Sequence, residues 1–370
     1  MNVQVKKWAE VLHIISGKNQ KTVSDPAGQY PIYGSGGIMG RANDFLCEAG
    51  STIVGRKGTI NRPIFVNERF WNVDTAFGIF PGETLHPKFL FYFCQSFNFK
   101  ALDKSTTIPS LAKRDLLNIE MPVPSLPEQE RIVSRIEELF SQLDASVVEL
   151  KTAKERLKVY RQAVLKEAFS NLDSSIERTI SSVCESIVDC PHTTPQWTQR
   201  GKLCLRTTNF KPGYLDLAGK NYVSEETFHE RIAKLAPKPG DVLFSREGAI
   251  LGIACIIPDG LEVCMGQRMM LLRPSKDLLN EYLMYYLNSP KARTLIIENI
   301  GGTASPHINV GDIKQFTIPI IPLIQQQTIV AEIESRLSVC DSIEKTVDTA
   351  LQQAEALRQS ILKKAFEGGL

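Results

Sequence analysis

The chain has 370 residues, of which 43% are hydrophobic, so it can bury real cores and its length predicts two to three domains. A net charge of +2 falls short of the strongly basic balance that announces nucleic acid, so such a reading must rest on local clustering. No apolar run approaches the roughly 18–20 residues that cross a bilayer, and MNVQVKKWAEVLHIISG lacks the apolar segment of a secretory signal. The eight cysteines form no C-x-x-C pair and read as reduced thiols rather than a disulfide frame or zinc site, which predicts a cytoplasmic protein.

The first stretch, Met1–Ser125, carries 14 Lys and Arg against 10 Asp and Glu, a balance of +4. Within it GSTIVGRKGTI and RPIFV predict strands around a tight turn, because β-branched residues alternate between glycines. The aromatic segment His86–Ala101 has helical spacing and predicts a core helix. Prolines 122, 124 and 127 delay the next helix, and Ser125 with Glu128 reads as a capping box at its start. From there Ile136, Leu143, Leu150, Leu157 and Val164 recur every seven residues, with Ile132, Leu139, Ser146, Ala153 and Tyr160 as a companion row. That is the seam of a coiled coil over about five heptads. A long amphipathic helix lying on its own globule is the plainer alternative.

The next stretch, Asn171–Pro322, is balanced at 16 against 16 charges. Its GDVLFSREGAILGIACII answers the GSTIVGRKGTI strands, and Glu281–Ser289 answers the aromatic helix. A second heptad helix follows, with Ile333, Cys340, Val347, Ala354 and Ile361 in one row. Ile329, Arg336, Ile343, Ala350 and Leu357 form its companion row. Shifting the chain by 197 positions lays Ile108–Phe169 on Ser305–Phe366 without a gap, with about nineteen of the sixty-two positions identical. A period this long is a duplicated globule-plus-helix unit and not a solenoid. Two such helices paired antiparallel predict a pseudo-twofold molecule with a globule at each end of a rod roughly 60 Å long, from about 1.5 Å per residue. Two turns of B-DNA span a similar length.

The order of these segments resembles the specificity subunit of type I restriction–modification enzymes over essentially the whole chain. MPVPSLPEQERIV and IPIIPLIQQQTIV resemble that family's proline-rich entry into each conserved helix. YPIYGSGGIMG and TIVGRKGTI are similar to its first target-recognition domain, GDVLFSREGAILG and GGTASPHINVGDIK to its second. The second copy departs by carrying Pro322 for Ser125 and Gln325 for Glu128. The resemblance implies an α+β chain of two target-recognition domains, 1–125 and 171–322, each followed by a conserved helix, 126–170 and 323–370. It also implies double-stranded DNA as ligand and a bipartite target with an unread spacer. Two methyltransferase subunits would be partners, and motor–nuclease subunits would join through them. The chain itself would bind no cofactor, while the assembly would use S-adenosylmethionine, ATP and Mg²⁺ to methylate adenine and to cut unmethylated DNA. No membrane role follows.

What the chain lacks agrees with a non-catalytic role: there is no N-P-P-[YF] tetrapeptide, no G-x-x-x-x-G-K-[ST] loop and no H-E-x-x-H pair. Base edges are read by Arg, Lys, Asn and Gln in loops. The candidates in the first domain are Arg41, Arg56, Lys57, Arg62, Lys104 and Lys113, with Ser105, Thr106 and Thr107 as phosphate donors. In the second they are Arg206, Thr208, Asn209, Lys211, Arg246, Gln267, Arg268, Ser305, His307 and Asn309. Arg56, Arg206 and Arg246 rank first, since they sit in turns between apolar strands. Two rival readings are a specificity chain of a methylation-only system and a bivalent scaffold for two protein ligands. A self-contained nuclease or methyltransferase fits least, for want of a catalytic constellation.

Overall fold

A computed structural model describes residues 4–170, 172, 175–301 and 306–369. The chain folds into two compact units, one made of Met1–Lys151 with Asp348–Leu370 and the other of Thr152–Val347. Each unit therefore takes a globule, half of one long helix and half of the other.

In the first unit a four-stranded antiparallel sheet runs Leu12–Ser16, Ala76–Pro81, Ser51–Gly55, Ile64–Val66. A three-stranded sheet runs Gly37–Ala42, Tyr30–Gly34, Trp71–Asn72, its last pair parallel. The predicted aromatic helix occupies Pro87–Ser96, with proline at its first turn where no amide is needed. It buries Phe89, Leu90 and Phe93 beside Trp8, whose indole meets Phe93 and Phe99 edge-on at 6.3 and 6.1 Å.

The second unit repeats the plan. Its four-stranded antiparallel sheet is Cys184–Asp189, Met269–Pro274, Val242–Ser245, Ala254–Ile256. Its three-stranded sheet is Tyr222–Val223, Lys202–Leu205, Val263–Met265, again with one parallel pair. The aromatic helix here is Asn280–Leu287. In each unit a two-stranded ribbon closes the globule against the long helix that follows, Gln4–Lys7 with Glu120–Val123 and Ile176–Thr179 with Thr317–Ile320. All eight cysteines are free and seven are buried; burial pushes the Cys47 and Cys184 thiols up to about 12. They are small core residues.

The long helices span Leu126–Ala168 and Leu323–Phe366. Each carries one glutamine at 0% exposure, Gln129 and Gln326, which are exact repeat partners in doing the same work. Gln129 donates to the carbonyls of Thr84 and Pro124 and accepts from the amide of His86, all at 2.8 Å. Gln326 donates to Asp277 and Ile321 at 3.0 and 2.8 Å and accepts from Leu279 at 2.9 Å. One side chain thus fastens the loop before the aromatic helix to the start of the long one. The expected capping box does not form, because the Glu128 carboxylate is bidentate to Arg131 at 2.8 and 2.9 Å. That pairing also holds the Glu128 carboxyl below its ordinary range.

Within each unit the start of one long helix lies beside the end of the other, so the pairing is antiparallel. In the first unit Ile132, Val133, Ile136 and Phe140 share a core with Ile361, Leu362 and Ala365. In the second Val164, Leu165 and Phe169 share one with Val330 and Ile333. The helix ends also close the globules. Phe366 meets Phe89 and Phe93 at 5.1 and 5.3 Å, while its repeat partner Phe169 meets Tyr282 and Tyr286 at 5.2 and 5.3 Å.

One row of the expected seam is inward: Ile136, Val164, Ile333, Cys340, Val347 and Ile361 are buried, and Leu143, Leu150 and Leu157 are half-buried. The companion row needs correcting. Ile132 and Leu139 pack inward near the globule and Ala153, Ile329, Arg336 and Ala350 are half-buried, but Ser146 and Tyr160 are exposed, as are Ile343 and Leu357, at 43% and 50%. The true companions fall one residue later, at Phe140, Val147, Lys154 and Arg161, and at Leu337, Glu344, Leu351 and Arg358, none of them exposed. Charged groups hide this row from a hydrophobic count. Arg161 pairs with Asp341 at 2.7 Å and Glu344 at 3.0 Å in the second unit, and Arg358 pairs with Asp144 in the first. Residues 161 and 358, like 144 and 341, are repeat partners, so the same contact is made twice with the helices exchanged. Polar seam residues fix register more than they stabilise.

Candidate nucleic-acid interface

The same turn leaves the same strand in both units. In the first, Gly55-Arg56-Lys57-Gly58 follows the strand Ser51–Gly55. The amides of Arg56 and Lys57 donate to the Thr75 carbonyl at 2.8 and 3.1 Å, and the Gly58 amide donates to Pro109 at 2.9 Å. In the second, Ser245-Arg246-Glu247-Gly248 follows Val242–Ser245. There the Arg246 amide donates to Arg268 at 3.1 Å and the Gly248 amide to Pro306 at 2.9 Å. Gly58 and Gly248 have φ of +83° and +86°, a left-handed backbone that glycine adopts without strain.

The charges on these matching turns have opposite fates. Arg56 is half-buried, its guanidinium 5.9 Å from the Phe77 ring centroid and 3.4 Å from the Asp74 carbonyl. With Lys57 and Lys113 it lines a cleft of about 340 Å³ that also meets Ser16, Phe77 and Ser110. Lys113 donates to the Ile14 carbonyl at 2.6 Å. Three cations on one concave surface form an anion-attracting site.

Arg246, by contrast, is 5% exposed. Asp189 grips it at 2.8 and 3.1 Å, and Glu247 adds a contact at 2.6 Å. Burial works against its charge, but the two carboxylates outweigh it and raise the guanidinium above its ordinary range. The expectation that Arg246 reads bases is therefore corrected: its donors are committed inside the protein. Asn209 is corrected likewise. It is buried, accepts from the Arg206 amide and donates to the Asp216 and Gly219 carbonyls, so it fixes a loop.

Other candidates are exposed but engaged. Arg41 donates to the Gly28 and Gln29 carbonyls at 2.6 and 2.7 Å. Lys104 pairs with Asp115 at 3.2 Å, and Ser105 donates to Asp103 at 2.6 Å. Two are half-buried: Lys211 lies 4.0 Å from Asp216, and Gln267 donates to the His192 carbonyl at 2.7 Å. Arg206 lies 5.5 Å from the ring centroid of Trp197, itself 40% exposed, whereas Trp71 is buried. Asn309 precedes a short helix and donates to Asp312 at 3.1 Å. Lys57, Arg62, Thr106 and Thr208 are exposed, His307 is half-buried, and Arg268 is exposed. Ser305 lies outside the described residues. Sequence reasoning missed Asp189, whose signal, a lone acidic residue at a strand end 57 positions before Arg246, is invisible without the fold.

The fold defines the protein as a duplicated α+β module, each copy seated on a long helix and carrying a conserved-geometry turn beside it. The model of the type I restriction modification DNA specificity domain matches residues 1–155 and again 199–353, and the chain belongs to that family. It is 26% identical to the type I restriction enzyme EcoBI specificity subunit of Escherichia coli, over 86% of this chain and 73% of that one. Against the EcoDI specificity subunit of Escherichia coli the identity is 24%, over 98% and 87%. Among solved structures, a chain of a type I R-M system covers all of this one at a TM-score of 0.75 and 20% identity, with 98% of its own length matched. The HsdS subunit from Thermoanaerobacter tengcongensis gives 0.56 and 20%, covering 100% and 97%. At such identities the likeness speaks for the fold. Among the described residues, no helix is long and apolar enough to cross a membrane.

Proposed function

We propose that this chain is the DNA-reading subunit of a type I restriction–modification complex, each globule recognising one half of a bipartite target. The observation that carries the reading is the duplication itself, two matched specificity domains presenting the same glycine-hinged turn. The globules span 1–125 and 171–322, and the unread spacer is set by helices of 43 and 44 residues. The cations Arg56, Lys57 and Lys113 supply contacts in the first domain. Arg206 and Arg268 supply them in the second. Methyltransferase subunits dock along the helices, where Val148 and Leu357 of the first unit and Val159, Val339 and Ile343 of the second stand exposed. The chain holds no cofactor; the complex uses S-adenosylmethionine for adenine methylation, and ATP with Mg²⁺ for cutting, in the cytoplasm.

Replacing Met1–Ser125 with the equivalent domain of another such subunit tests this, read by sequencing methylated adenines in the host. One half of the motif should change and the other persist, because sites that share no side chains or partners act independently. A swap that altered both halves, or neither, would refute it.

A further inference from the structure

Arg268 is the sole described non-glycine residue with positive φ, at +66°. It ends the turn Gly266-Gln267-Arg268 that feeds the strand Met269–Pro274, where the first unit has Thr75 before Ala76–Pro81. Both positions accept the amide of the matching arginine, Arg56 or Arg246. The left-handed backbone brings Cβ against the following carbonyl, so an arginine there carries a cost that glycine would not. Inside the protein little offsets it. The Arg268 side chain is 59% exposed and its nearest partner is a Glu247 oxygen at 4.0 Å. An exposed pair at that distance stabilises weakly.

The partner is nonetheless firmly held. One Glu247 oxygen lies 2.6 Å from Arg246, and both oxygens of Asp189 grip the other side of that guanidinium. The second Glu247 oxygen faces Arg268. Gly248 leaves room beside it, since a Cβ there would lie 3.7 Å from Arg268 Nη1. Buried Arg246 thus links two half-buried carboxylates, Asp189, which also lies 3.1 Å from the exposed His192, and Glu247, which faces the exposed Arg268 guanidinium. A phosphate contact needs no such fixing, because any mobile cation serves. A guanine edge demands an aimed, planar fork.

We propose that Arg268 is the guanine-reading side chain of the second domain, aimed by Glu247, with Arg246 and Asp189 as positioning residues. The proposal rests on the DNA-reading function above. Its test is Arg268→Gly and Arg268→Lys in the full chain, expressed in its host and read by methylated-adenine sequencing. Duplexes carrying the motif with single pair changes give a second readout, as binding by the assembled complex. Arg268→Gly relieves the backbone, so its melting temperature should equal or exceed that of the wild type. Discrimination at one G·C pair of the second half-site should fall about tenfold or more, since a bidentate contact carries that much. Arg268→Lys keeps the charge but not the fork and should lose the same discrimination. Glu247→Gln should weaken it at that pair and nowhere else. An unchanged motif in Arg268→Gly overturns the proposal. So does a uniform loss of affinity that lysine restores, which marks a phosphate contact. If deleting the wild-type chain changes no methylated motif, the functional reading falls, and this one with it.

Discussion

Removing the Gln129 amide should cost the first unit far more than its size suggests. Its three hydrogen bonds, each 2.8 Å long, serve backbone groups of Thr84, Pro124 and His86 around a fully buried side chain. Gln129→Ala strands two carbonyls and one amide. Each buried unsatisfied group costs about 1–3 kcal/mol, so with partial rehydration the loss should be roughly 3–5 kcal/mol. Gln129→Glu separates hydrogen bonding from packing. It keeps the acceptor for His86 but turns a carboxylate on two carbonyls. Burial and those carbonyls raise its folded pKa above the unfolded value of about 4.3. The penalty is therefore absent below that value and complete once pH passes the folded pKa. Gln129→Glu should be less stable than Gln129→Ala at neutral pH and recover in acid. Because two units need not melt together, hydrogen exchange should be read separately on Pro87–Ser96 and on Asn280–Leu287. Protection should fall only in the first, and Gln326→Ala should reverse the pattern. A loss under about 1 kcal/mol, or pH-independent equality of the two variants, would refute the clamp.

The two matching arginines should respond differently. Arg246→Ala takes from Asp189 and Glu247 the buried guanidinium that both grip and should destabilise the second unit by about 3–5 kcal/mol, measured by exchange on its strands. Arg56→Ala should change stability by under about 1 kcal/mol while weakening recognition of the first half-site alone, measured by methylation of the motif. On the helices, Val347→Ser should cost about 1–3 kcal/mol and Ile343→Ser under about 0.5 kcal/mol, since they are 6% and 43% exposed. Equal costs in thermal unfolding would show that the seam has been phased wrongly.

How far the fold was legible follows from what each residue needs nearby. The duplication, the long helices and the aromatic core helices rest on local spacing and on identities such as Gln129 with Gln326, and the structure has them all. The first seam row was legible because Ile136, Val347 and Ile361 are apolar and buried. Its companion was misplaced by one residue because Lys154, Arg161, Glu344 and Arg358 occupy inward positions as ion pairs. A hydrophobic period cannot see a charge that finds its partner on another helix. The same blindness explains Arg246. Its turn aligns with that of Arg56 but carries Ser245 and Glu247 where the first has Gly55 and Lys57. Glu247 and Asp189, the latter brought in by an adjacent strand pair, make one guanidinium structural while the other faces a cleft.

Because each unit borrows half a helix from the other copy, a fragment of residues 1–170 is missing 348–370 and bares Ile132, Ile136 and Phe140. It also contains the replacement. Leu165, Ala168 and Phe169 are identical to Leu362, Ala365 and Phe366, and Arg161 and Asp144 match Arg358 and Asp341. A second copy of the fragment, laid antiparallel, would offer its Leu165, Ala168 and Phe169 to the open core and its Arg161 to Asp144. Both copies are completed by one operation, so the interface is isologous and closes at two. The fragment should therefore be a dimer by sedimentation, with protection of Pro87–Ser96 close to that in the full chain. Phe169→Ala should weaken the dimer strongly, because it strips an aromatic ring from both globules at once. Asp144→Arg should block pairing by placing like charges together, and adding Arg161→Asp should restore it. A fragment that stays monomeric and equally protected would mean that the globule needs no borrowed helix.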